Sequence, residues 1–580
     1  MNFKKLVKSD FFSYLALMLA AFMLSTLPVF AAWTENRYQV TLVDLVLPLI
    51  ICFATSLVLA LVFFKSFKKN KLAGLIVIVI GTLVFGPDFD SRLTEIKPIF
   101  QAIIPLGNSS KIPSIIYSLI FILVIIGVIF LFVRWIDRLT TRKKWPIEVF
   151  AKAVIIVISV AFILQLYPVA RAIVVEWPQF FYRPAKISAV ATTTNSKPDI
   201  YYIVLDRYTS QSVLSSQFNY DNSDFIKFLS ANNFSIDPNA VANYPFTTMS
   251  IASTMNADYD SDMVKKFSSS SMQTTEPYHD SIRYASVIEK LKSLGYTYDQ
   301  LGTWYEASNQ APLADNNYQP EGRLTILNQT FTLNNFSKDN LTRSLYWQFV
   351  SRGLTIGKLK ILSYSSIGES DATLYKLNQL NNIAAEPAGG KFVFAHILVP
   401  HDPYYFNSDG SLSTTPGDNN LGQPVKEKYI GQVEFINSQM KNLIQEVRKN
   451  SNNQAVVIIQ SDEGPYPMEL NGENFNYASV GDELDTGDMT KWSDTDLKMK
   501  YGILAAYNIP AANKNDFAVA GNSVNIFRLV LNTYFKTDLP YLPECSYAYT
   551  NGREQAFAYF DISTRLSGKD NPACPADSKF

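Results

Sequence analysis

The chain has 580 residues, too many for one ordinary hydrophobic core, with 51 basic and 51 acidic residues. A formal net charge of zero, without a basic patch interleaved with aromatic residues, argues against nucleic acid as a partner. The first ~170 residues are strongly apolar with their charges in short clusters, and the remainder is polar. Composition therefore predicts a membrane region followed by a large globular domain.

Five apolar stretches in the N-terminal part are candidates for membrane-spanning helices. They are Phe11–Trp33, Leu42–Phe64, Leu72–Gly86, Ser114–Val133 and Phe150–Tyr167. Twelve basic residues flank these stretches on one side of the predicted membrane and four on the other, which places the N-terminus in the cytoplasm and everything after Trp177 outside. The first stretch could instead be a signal peptide, although its apolar run is longer than a usual h-region.

The predicted boundaries are 1–177 for a five-helix transmembrane region, 178–197 for a juxtamembrane linker and 198–580 for an extracytoplasmic domain. Residues 186–197 are polar and Thr-rich without apolar periodicity, which is typical of a linker. Cys545 and Cys574 lie in the external part, where an oxidising compartment permits a disulfide. Whether they pair or remain thiols is open from the sequence.

In the external part, three short, β-branched and aromatic runs each end at polar residues that can hold a metal ion or a phosphate. The runs are Asp199–Asp206, Lys391–His401 and Ala455–Gly464. Amphipathic helices are predicted at Ser281–Leu294, Val425–Asn450 and Ser523–Phe535. The alternation predicts an α/β fold with a mainly parallel sheet and helices on both faces.

The carboxyl ends of neighbouring parallel strands share one crevice, so polar residues from distant parts of the chain are expected in one pocket. A buried carboxylate at Asp206 requires a cation or hydrogen bonds, with an ion pair to Arg207 or a local turn as the alternative. Two adjacent carboxylates favour a cation or a raised pKa, although a tight turn at Gly464 and Pro465 also explains them. The expected pocket residues are Asp206, His396, His401, Asp462 and Glu463.

Only three histidines occur in the chain. His401, in a Pro-flanked turn, is the better functional candidate, whereas His396 within a strand fits a structural role as well as a functional one. His279 is expected in an exposed loop.

Residues Asn243–Asn256 predict a loop followed by a helix that begins near Thr248. A hydroxyl at a helix N-terminus lies beside free amide donors, which favour a bound phosphate or sulfate. The alternative is that Thr247, Thr248 and Ser250 are ordinary N-caps.

The order of these motifs resembles the sulfatase-like branch of the alkaline phosphatase superfamily. The motifs are a strand ending at Asp206, TTMS at Thr247–Ser250, PHDPY around His401 and SDEGP at Ser461–Pro465. The similarity extends from Pro198 to about Pro543, and implies an alkaline-phosphatase-like α/β/α sandwich. The five spans and the external domain together resemble the layout of lipoteichoic acid synthases and lipid A phosphoethanolamine transferases.

The resemblance implies a role for each matching residue. Thr247 stands at the position of the nucleophile, His401 is expected to contact the phosphate or sulfate, and His396 is a second substrate-binding candidate. Met249 replaces a family proline, Glu463 stands where the family has a metal-binding histidine, and Arg207 follows the first acid where glycine or a second aspartate is usual. The implied metal ligands are Asp206, Thr247, Asp462 and Glu463. This all-oxygen shell favours one divalent cation, Mn²⁺ or Mg²⁺, over Zn²⁺.

The expected function is that of a membrane-anchored, metal-dependent hydrolase or transferase acting on phosphate or sulfate esters of the cell envelope through a covalent threonine intermediate. Its expected partners are the lipid bilayer and a lipid or glycan substrate at the outer membrane surface. The alternative, favoured by Glu463 and Arg207, is an inactive sulfatase-like protein that binds an envelope polymer or a lipid headgroup. A transporter is disfavoured because Asp44 and Lys152 lie near span ends. The donor, the acceptor and the oligomeric state are open.

Overall fold

The described part of the chain forms two compact units, Met1–Gln179 with Glu321–Ile367, and Phe180–Pro320 with Gly368–Phe580. The computed structural model describes residues 3–37, 42–66, 147–176, 181–188, 197–259, 261–267, 276–303, 306–309, 311–318, 322–333, 335–344, 347–351, 353–356, 359–365, 368–413, 425–467, 488–548 and 559–568, with Cys574 and five isolated positions between 127 and 138. The predicted boundaries 1–177, 178–197 and 198–580 stay a prediction, and residues 321–367 group with the N-terminal helices in the first unit.

Among the described residues of the first unit are three long helices: α1 (Phe3–Glu35), α2 (Val46–Ser66) and α3 (Ile147–Arg171). Within the described residues, Met18–Glu35 and Ala153–Val175 are long and apolar enough to cross a membrane, and Val46–Leu57 is a shorter apolar helix. The predicted span Leu72–Gly86 lies outside the described residues, as does nearly all of Ser114–Val133. The count of five spans therefore stays a prediction.

The strands are short, and four of the strands in the large sheet are wholly buried. In chain order they are β1 (Ile200–Leu205), β2 (Ser235–Ile236), β3 (Thr297–Leu301), β4 (Asn316–Tyr318), β5 (Gly322–Ile326), β6 (Gln329–Leu333), β7 (Leu354–Ile356), β8 (Leu359–Ser365), β9 (Lys391–Ile397), β10 (Val456–Gln460), β11 (Ala505–Asn508), β12 (Tyr547–Ala548) and β13 (Phe560–Asp561).

The remaining helices lie between these strands. They are α4 (Gln211–Phe218), α5 (Ser223–Ala231), α6 (Thr247–Asn256), α7 (Ser261–Phe267), α8 (Glu276–Arg283), α9 (Ser286–Ser293), α10 (Glu306–Asn309), α11 (Asn335–Thr342), α12 (Trp347–Val350), α13 (Glu369–Ala385), α14 (Val425–Asn450), α15 (Asp494–Tyr501), α16 (Asp516–Ala520), α17 (Ile526–Phe535) and α18 (Ser563–Ser567).

The second unit is built on a seven-stranded sheet in the order β2-β11-β10-β1-β9-β3-β4. The pairs from β10 to β4 are parallel, and β11 is antiparallel to both of its neighbours. Along β1, alternate side chains enter two different cores: Tyr202 stacks on Phe394 with ring centroids 5.4 Å apart, whereas Ile203 faces the opposite side. The predicted α/β class with a mainly parallel sheet is confirmed for this unit.

One predicted helix is interrupted. Instead of a single helix over Ser281–Leu294, the chain forms α8 and α9, because Asn256 Oδ1 accepts the backbone N–H of Ser286 at 2.8 Å and so takes the donor that would continue α8. His279 was expected in an exposed loop, but it lies in α8 and is buried, since Tyr278 and Ile282 of the same helix pack into the core.

The segment Glu321–Ile367 forms an antiparallel sheet of its own, in the order β6-β5-β8-β7. It belongs to the first unit and packs against α2. Its small core consists of Leu324, Leu333, Leu341 and Val350, with Leu47 and Ile51 of α2 alongside.

Cys545 and Cys574 are joined in a disulfide, which decides the question that the sequence leaves open. The bond closes a loop across a sequence separation of 29, and closing a loop of this size contributes about 3–4 kcal/mol to the free energy of unfolding in a chain-entropy estimate.

We expect Cys545→Ser to lower the free energy of unfolding by about this amount, seen as a lower thermal transition in detergent. Reductant should have the same effect on wild type and on Cys52→Ala, since Cys52 is a free cysteine. A transition unaffected by reductant would contradict the prediction.

Candidate active site

The parallel arrangement brings the ends of three adjacent strands to one edge of the sheet. Asp206 directly follows β1, His396 is the last residue but one of β9, and Asp462 lies two residues beyond β10. One ligand atom from each of these three side chains lies within 4.8 Å of the others, and all three are buried. The predicted convergence of distant residues at this edge is therefore present for Asp206, His396 and Asp462.

The Asp206 carboxylate is held by His396 rather than by Arg207. His396 Nε2 donates to Asp206 Oδ2 at 3.0 Å, and the other ring nitrogen of His396 lies 2.8 Å from Ser308 Oγ. Burial lowers the pKa of His396, so this contact is a hydrogen bond from a neutral ring. Burial alone would raise the pKa of Asp206, but His401 and His396 hold it below its usual range. His396 therefore orients an ionised Asp206.

The environment of Asp462 disfavours the charged form of its carboxyl group. Burial raises its pKa well above the usual range, and the charges of Asp206 and Glu463 add to that rise, while the Thr247 side chain opposes it. The backbone N–H of Arg207 approaches Asp462 Oδ1 at 3.3 Å. Two buried carboxylates facing each other are costly unless a proton or a cation lies between them.

Glu463 makes a different set of contacts from the other two acids. Its Oε1 accepts from Lys500 Nζ at 2.7 Å and from Arg207 Nε at 3.1 Å, and all three side chains are at least nine-tenths buried. Arg207 also donates to Asp402 Oδ1 at 2.8 Å. Arg207 itself has φ of 60°, a conformation that residues other than glycine seldom adopt, so the turn after β1 aims its side chain at these acids. Glu463 is not part of the group formed by Asp206, His396 and Asp462, whose ligand atoms lie within 4.8 Å of one another.

Each of the three acids nevertheless keeps one oxygen without a hydrogen-bond partner. These buried atoms are Asp206 Oδ1, Asp462 Oδ2 and Glu463 Oε2. Buried oxygens without a partner cost free energy, and native structures contain few of them. A divalent cation fits this donor set, because carboxylate oxygens are the ligands that Mg²⁺ and Mn²⁺ prefer.

Thr247 is the first residue of α6 and is buried beside Asp462. The N-cap of α6 is Phe246, which offers no side-chain acceptor to the first-turn amides. Ser250 Oγ donates instead to Tyr244 O at 2.9 Å. The ordinary N-cap alternative is therefore wrong for Thr247, Thr248 and Ser250. A helix N-terminus without a side-chain cap is suited to an anionic group.

His401 follows β9 and lies 3.2 Å from Asp402 Oδ1, with about a fifth of its side chain exposed. His401 follows the carboxyl end of β9, the strand that carries His396, and it is the strongest electrostatic influence that lowers the pKa of Asp206. The sequence-based prediction missed Lys376 of α13, whose Nζ donates to His396 O at 3.0 Å. Burial lowers the pKa of Lys376 to about 7, while Asp206 opposes that shift.

Gly464 shows why the segment after Asp462 is a tight turn. A Cβ at this position would lie 2.1 Å from Met499 O, so only glycine allows the approach of α15. The backbone N–H of Gly464 donates to Lys500 O at 2.7 Å. This contact brings Lys500 to Glu463.

The family model for the sulfatases matches residues 198–503. No curated protein sequence matches the chain. Similar solved structures include the C-terminal periplasmic domain of EptC from Escherichia coli in complex with Zn, at 10% identity and a TM-score of 0.36, covering 62% of this chain and 87% of that one. The soluble domain of lipooligosaccharide phosphoethanolamine transferase A from Neisseria meningitidis has 11% identity and a TM-score of 0.36, covering 61% and 94%. A 2-O GAG sulfatase has 12% identity and a TM-score of 0.35, covering 66% and 76%.

Proposed function

Because this chain belongs to the sulfatase family, in the alkaline-phosphatase-like branch, we propose that it is a membrane-anchored, cation-dependent enzyme that transfers or hydrolyses phosphate or sulfate esters. The observation that carries the proposal is the set of three buried acids at one sheet edge, each with one unpartnered oxygen. Thr247, with its hydroxyl at an uncapped helix N-terminus, lies beside Asp462. These residues supply a cation site, a nucleophile and an anion-binding helix end in one place.

The chemistry assigned to the chain has two steps. Thr247 Oγ1 gives up its proton to solvent and forms a bond to phosphorus or sulfur, while the ester oxygen of the leaving group departs with its bonding electrons and takes up a proton. An acceptor hydroxyl or water then attacks the same atom and loses its proton, and the bond from Oγ1 breaks so that Thr247 regains its hydroxyl proton. His401 and the first-turn amides of α6 stabilise the charge on the non-bridging oxygens. A bound divalent cation would lower the pKa of the hydroxyl and offset the developing negative charge.

The proposed cation ligands are Asp206, Asp462 and the Thr247 hydroxyl, with Oε2 of Glu463 as the further oxygen. His396 acts here through Asp206, since its ring nitrogens face Asp206 and Ser308. An oxygen set favours Mn²⁺ or Mg²⁺, whereas direct ligation by His396 would favour Zn²⁺. The metal that stabilises the protein most strongly distinguishes these two arrangements.

We expect Mn²⁺ to raise the thermal transition of the purified full-length protein, because it neutralises carboxylates that repel each other in its absence. When the free Mn²⁺ concentration is a hundred times its dissociation constant, the free energy of unfolding rises by about 2.7 kcal/mol. Asp462→Asn should abolish the gain, and Asp409→Asn, at an exposed turn, should retain it. Equal stabilisation of wild type and Asp462→Asn would contradict the proposed site.

The activity itself is tested by supplying the full-length protein with Mn²⁺, Mg²⁺ or Zn²⁺ and a chromogenic phosphodiester or sulfate ester. Cation-dependent turnover of either ester supports the enzyme, and the preferred ester identifies the transferred group. Cation binding without turnover of either ester favours the second candidate, a protein that binds an envelope polymer or lipid headgroup. The observation in favour of that candidate is the pairing of Glu463 with Arg207 and Lys500.

We propose that the second unit lies on the outer side of the membrane and that its active site uses a lipid or glycan substrate there. The C-terminal end of α1, the N-terminal end of α2 and the C-terminal end of α3 meet in one apolar cluster, which includes Trp33, Leu45 and Val169. These ends are the ones that the distribution of basic residues assigns to the outer side. The periplasmic placement printed for the Escherichia coli EptC domain is consistent with this orientation.

A further inference from the structure

The sheet of residues 322–365 is attached to the outer ends of the long apolar helices. Phe336 of α11 is buried in the same cluster as Trp33 and Val169. Ser337 Oγ of α11 donates to Asp44 O, just before α2, at 3.4 Å. If α1, α2 and α3 cross a membrane, this sheet therefore lies at the level of the outer headgroups.

The hairpin between β5 and β6 and the start of β8 carry large apolar side chains that are exposed. Leu327 at the tip of the hairpin is 59% exposed, and Ile326 and Leu359 beside it are also exposed. The backbone N–H of Leu327 donates to Ile361 O, which places Leu359 close to this tip. The three residues Ile326, Leu327 and Leu359 are called the apolar tip below.

The turn at the apolar tip has an unfavourable sequence for its backbone. Leu327 and Asn328 have φ of 49° and 66°, the pattern of a two-residue turn for which asparagine and glycine are preferred. A leucine at positive φ strains the backbone, and Leu327 is more than half exposed, so burial offsets little of that strain. Contact with an apolar partner outside the chain would offset more of it.

The charge of this segment indicates the kind of partner. Residues 321–367 contain six basic and two acidic side chains, a balance of +4 in a chain whose formal net charge is zero. Arg323, Arg343 and Lys360 are exposed. Apolar side chains next to basic ones match the interface of an anionic bilayer, where chains enter the acyl boundary and cations meet the headgroups.

We propose that residues 322–365 form a membrane-contact element whose apolar tip enters the outer leaflet and whose basic side chains pair with anionic headgroups. The inference rests on the proposed membrane attachment of the chain. The proposed membrane contact does not depend on catalysis, so an experiment can reject the contact and the activity separately. The contact adds a lipid-facing surface to the part of the chain that follows the predicted spans.

The test uses the full-length Cys52→Ala protein with an environment-sensitive fluorophore on Leu327→Cys, reconstituted into nanodiscs that contain lipids with a nitroxide quencher near the headgroup. Lys449→Cys, at the exposed end of α14, is the labelled control. We expect at least a roughly twofold stronger quenching at Leu327 than at Lys449 in phosphatidylglycerol nanodiscs. Replacement of Arg323 and Lys360 by glutamine should reduce that quenching, as should phosphatidylcholine nanodiscs.

Equal quenching at Leu327 and Lys449 would overturn the inference. So would a buried, lipid-independent signal at Leu327 in detergent that depends on protein concentration, because a second copy of the chain would then cover the apolar tip. Turnover of a soluble chromogenic ester is measured in detergent on the same Leu327→Cys protein. Normal turnover without quenching rejects the membrane contact alone, and quenching without turnover in wild type rejects the proposed activity alone.

Discussion

Replacing Thr247 by alanine should lower the cation-dependent turnover of a chromogenic ester by at least ~10³-fold, because the attacking oxygen is removed. Thr247→Ser keeps the oxygen and should retain activity within about tenfold of wild type. Intact-mass spectrometry of the wild-type protein quenched during turnover should show one adduct, and Thr247→Ala should show none. The adduct is a sulfuryl group from the sulfate ester, or a phosphoryl group that still carries the second ester substituent from the phosphodiester. Initial rates and mass are measured on the same full-length preparations.

Ser253→Ala is the matched control for this experiment. Ser253 is buried in the same helix, and its hydroxyl donates to Ser250 O at 3.1 Å, away from the acids. Its replacement should leave the rate within about twofold of wild type, since only a local hydrogen bond is lost. Full activity in Thr247→Ala would place the nucleophile elsewhere. An adduct that persists in Thr247→Ala would lead to the same conclusion.

Glu463→Gln should destabilise the protein by about 3–5 kcal/mol, the usual effect of removing one partner from a buried ion pair. The substitution takes a negative charge away from Lys500, which is wholly buried, and from Arg207, which keeps Asp402. Thermal or denaturant unfolding in detergent measures the loss. Glu463→His, which introduces the residue expected from the sulfatase resemblance, should be destabilised to a similar degree because a neutral ring cannot balance these cations.

A double substitution separates the two roles available to Glu463. Glu463→Gln combined with Lys500→Met should recover most of the lost stability, because the ammonium is removed together with its counter-ion. Because Oε2 of Glu463 is a proposed ligand, Mn²⁺ affinity should be about tenfold to a hundredfold lower in the double variant than in wild type. Unchanged Mn²⁺ affinity would instead show that Glu463 serves only as the counter-ion of Lys500 and Arg207. A gain of activity in Glu463→His would contradict the counter-ion role and indicate a decayed metal site.

The elements nearest the site follow from simple sequence patterns. Three buried apolar runs ending in polar residues predict adjacent parallel strands, and the structure brings Asp206, His396 and Asp462 within 4.8 Å. The rule succeeds because parallel strands present their carboxyl ends at one edge, whatever their separation along the chain. The start of the helix at Thr247 was predicted within one residue.

The cations at the site were harder to predict. Lys376 lies on the buried face of α13 with Leu377 and Leu380, so a lysine at an apolar helical position was the available signal. Lys500 similarly lies one helical turn after the buried Leu497 in α15. Which acidic side chain each of these lysines contacts depends on close backbone contacts, such as that between Gly464 and α15. Local sequence patterns do not predict such contacts.

The membership of residues 321–367 in the first unit was not predicted. The short strands and polar turns of this segment have the same local signals as the rest of the external part. Its tertiary contacts show that the segment belongs with the helices: Phe336 shares a cluster with Trp33, and Leu47 and Ile51 of α2 pack against its small core. Contacts between residues about 300 positions apart leave no periodicity for a sequence pattern to detect.

Because residues 321–367 return to the first unit, a single cut of the chain is expected to have a limited effect. The polypeptide passes between its two units three times: before Phe181, between β4 and β5, and between β8 and α13. A protease that cuts once in the 186–197 stretch would therefore not release the second unit, since the other two passages still connect it to the first. A truncated version starting at that stretch would also carry Phe336 without its apolar neighbours, and so would tend to aggregate.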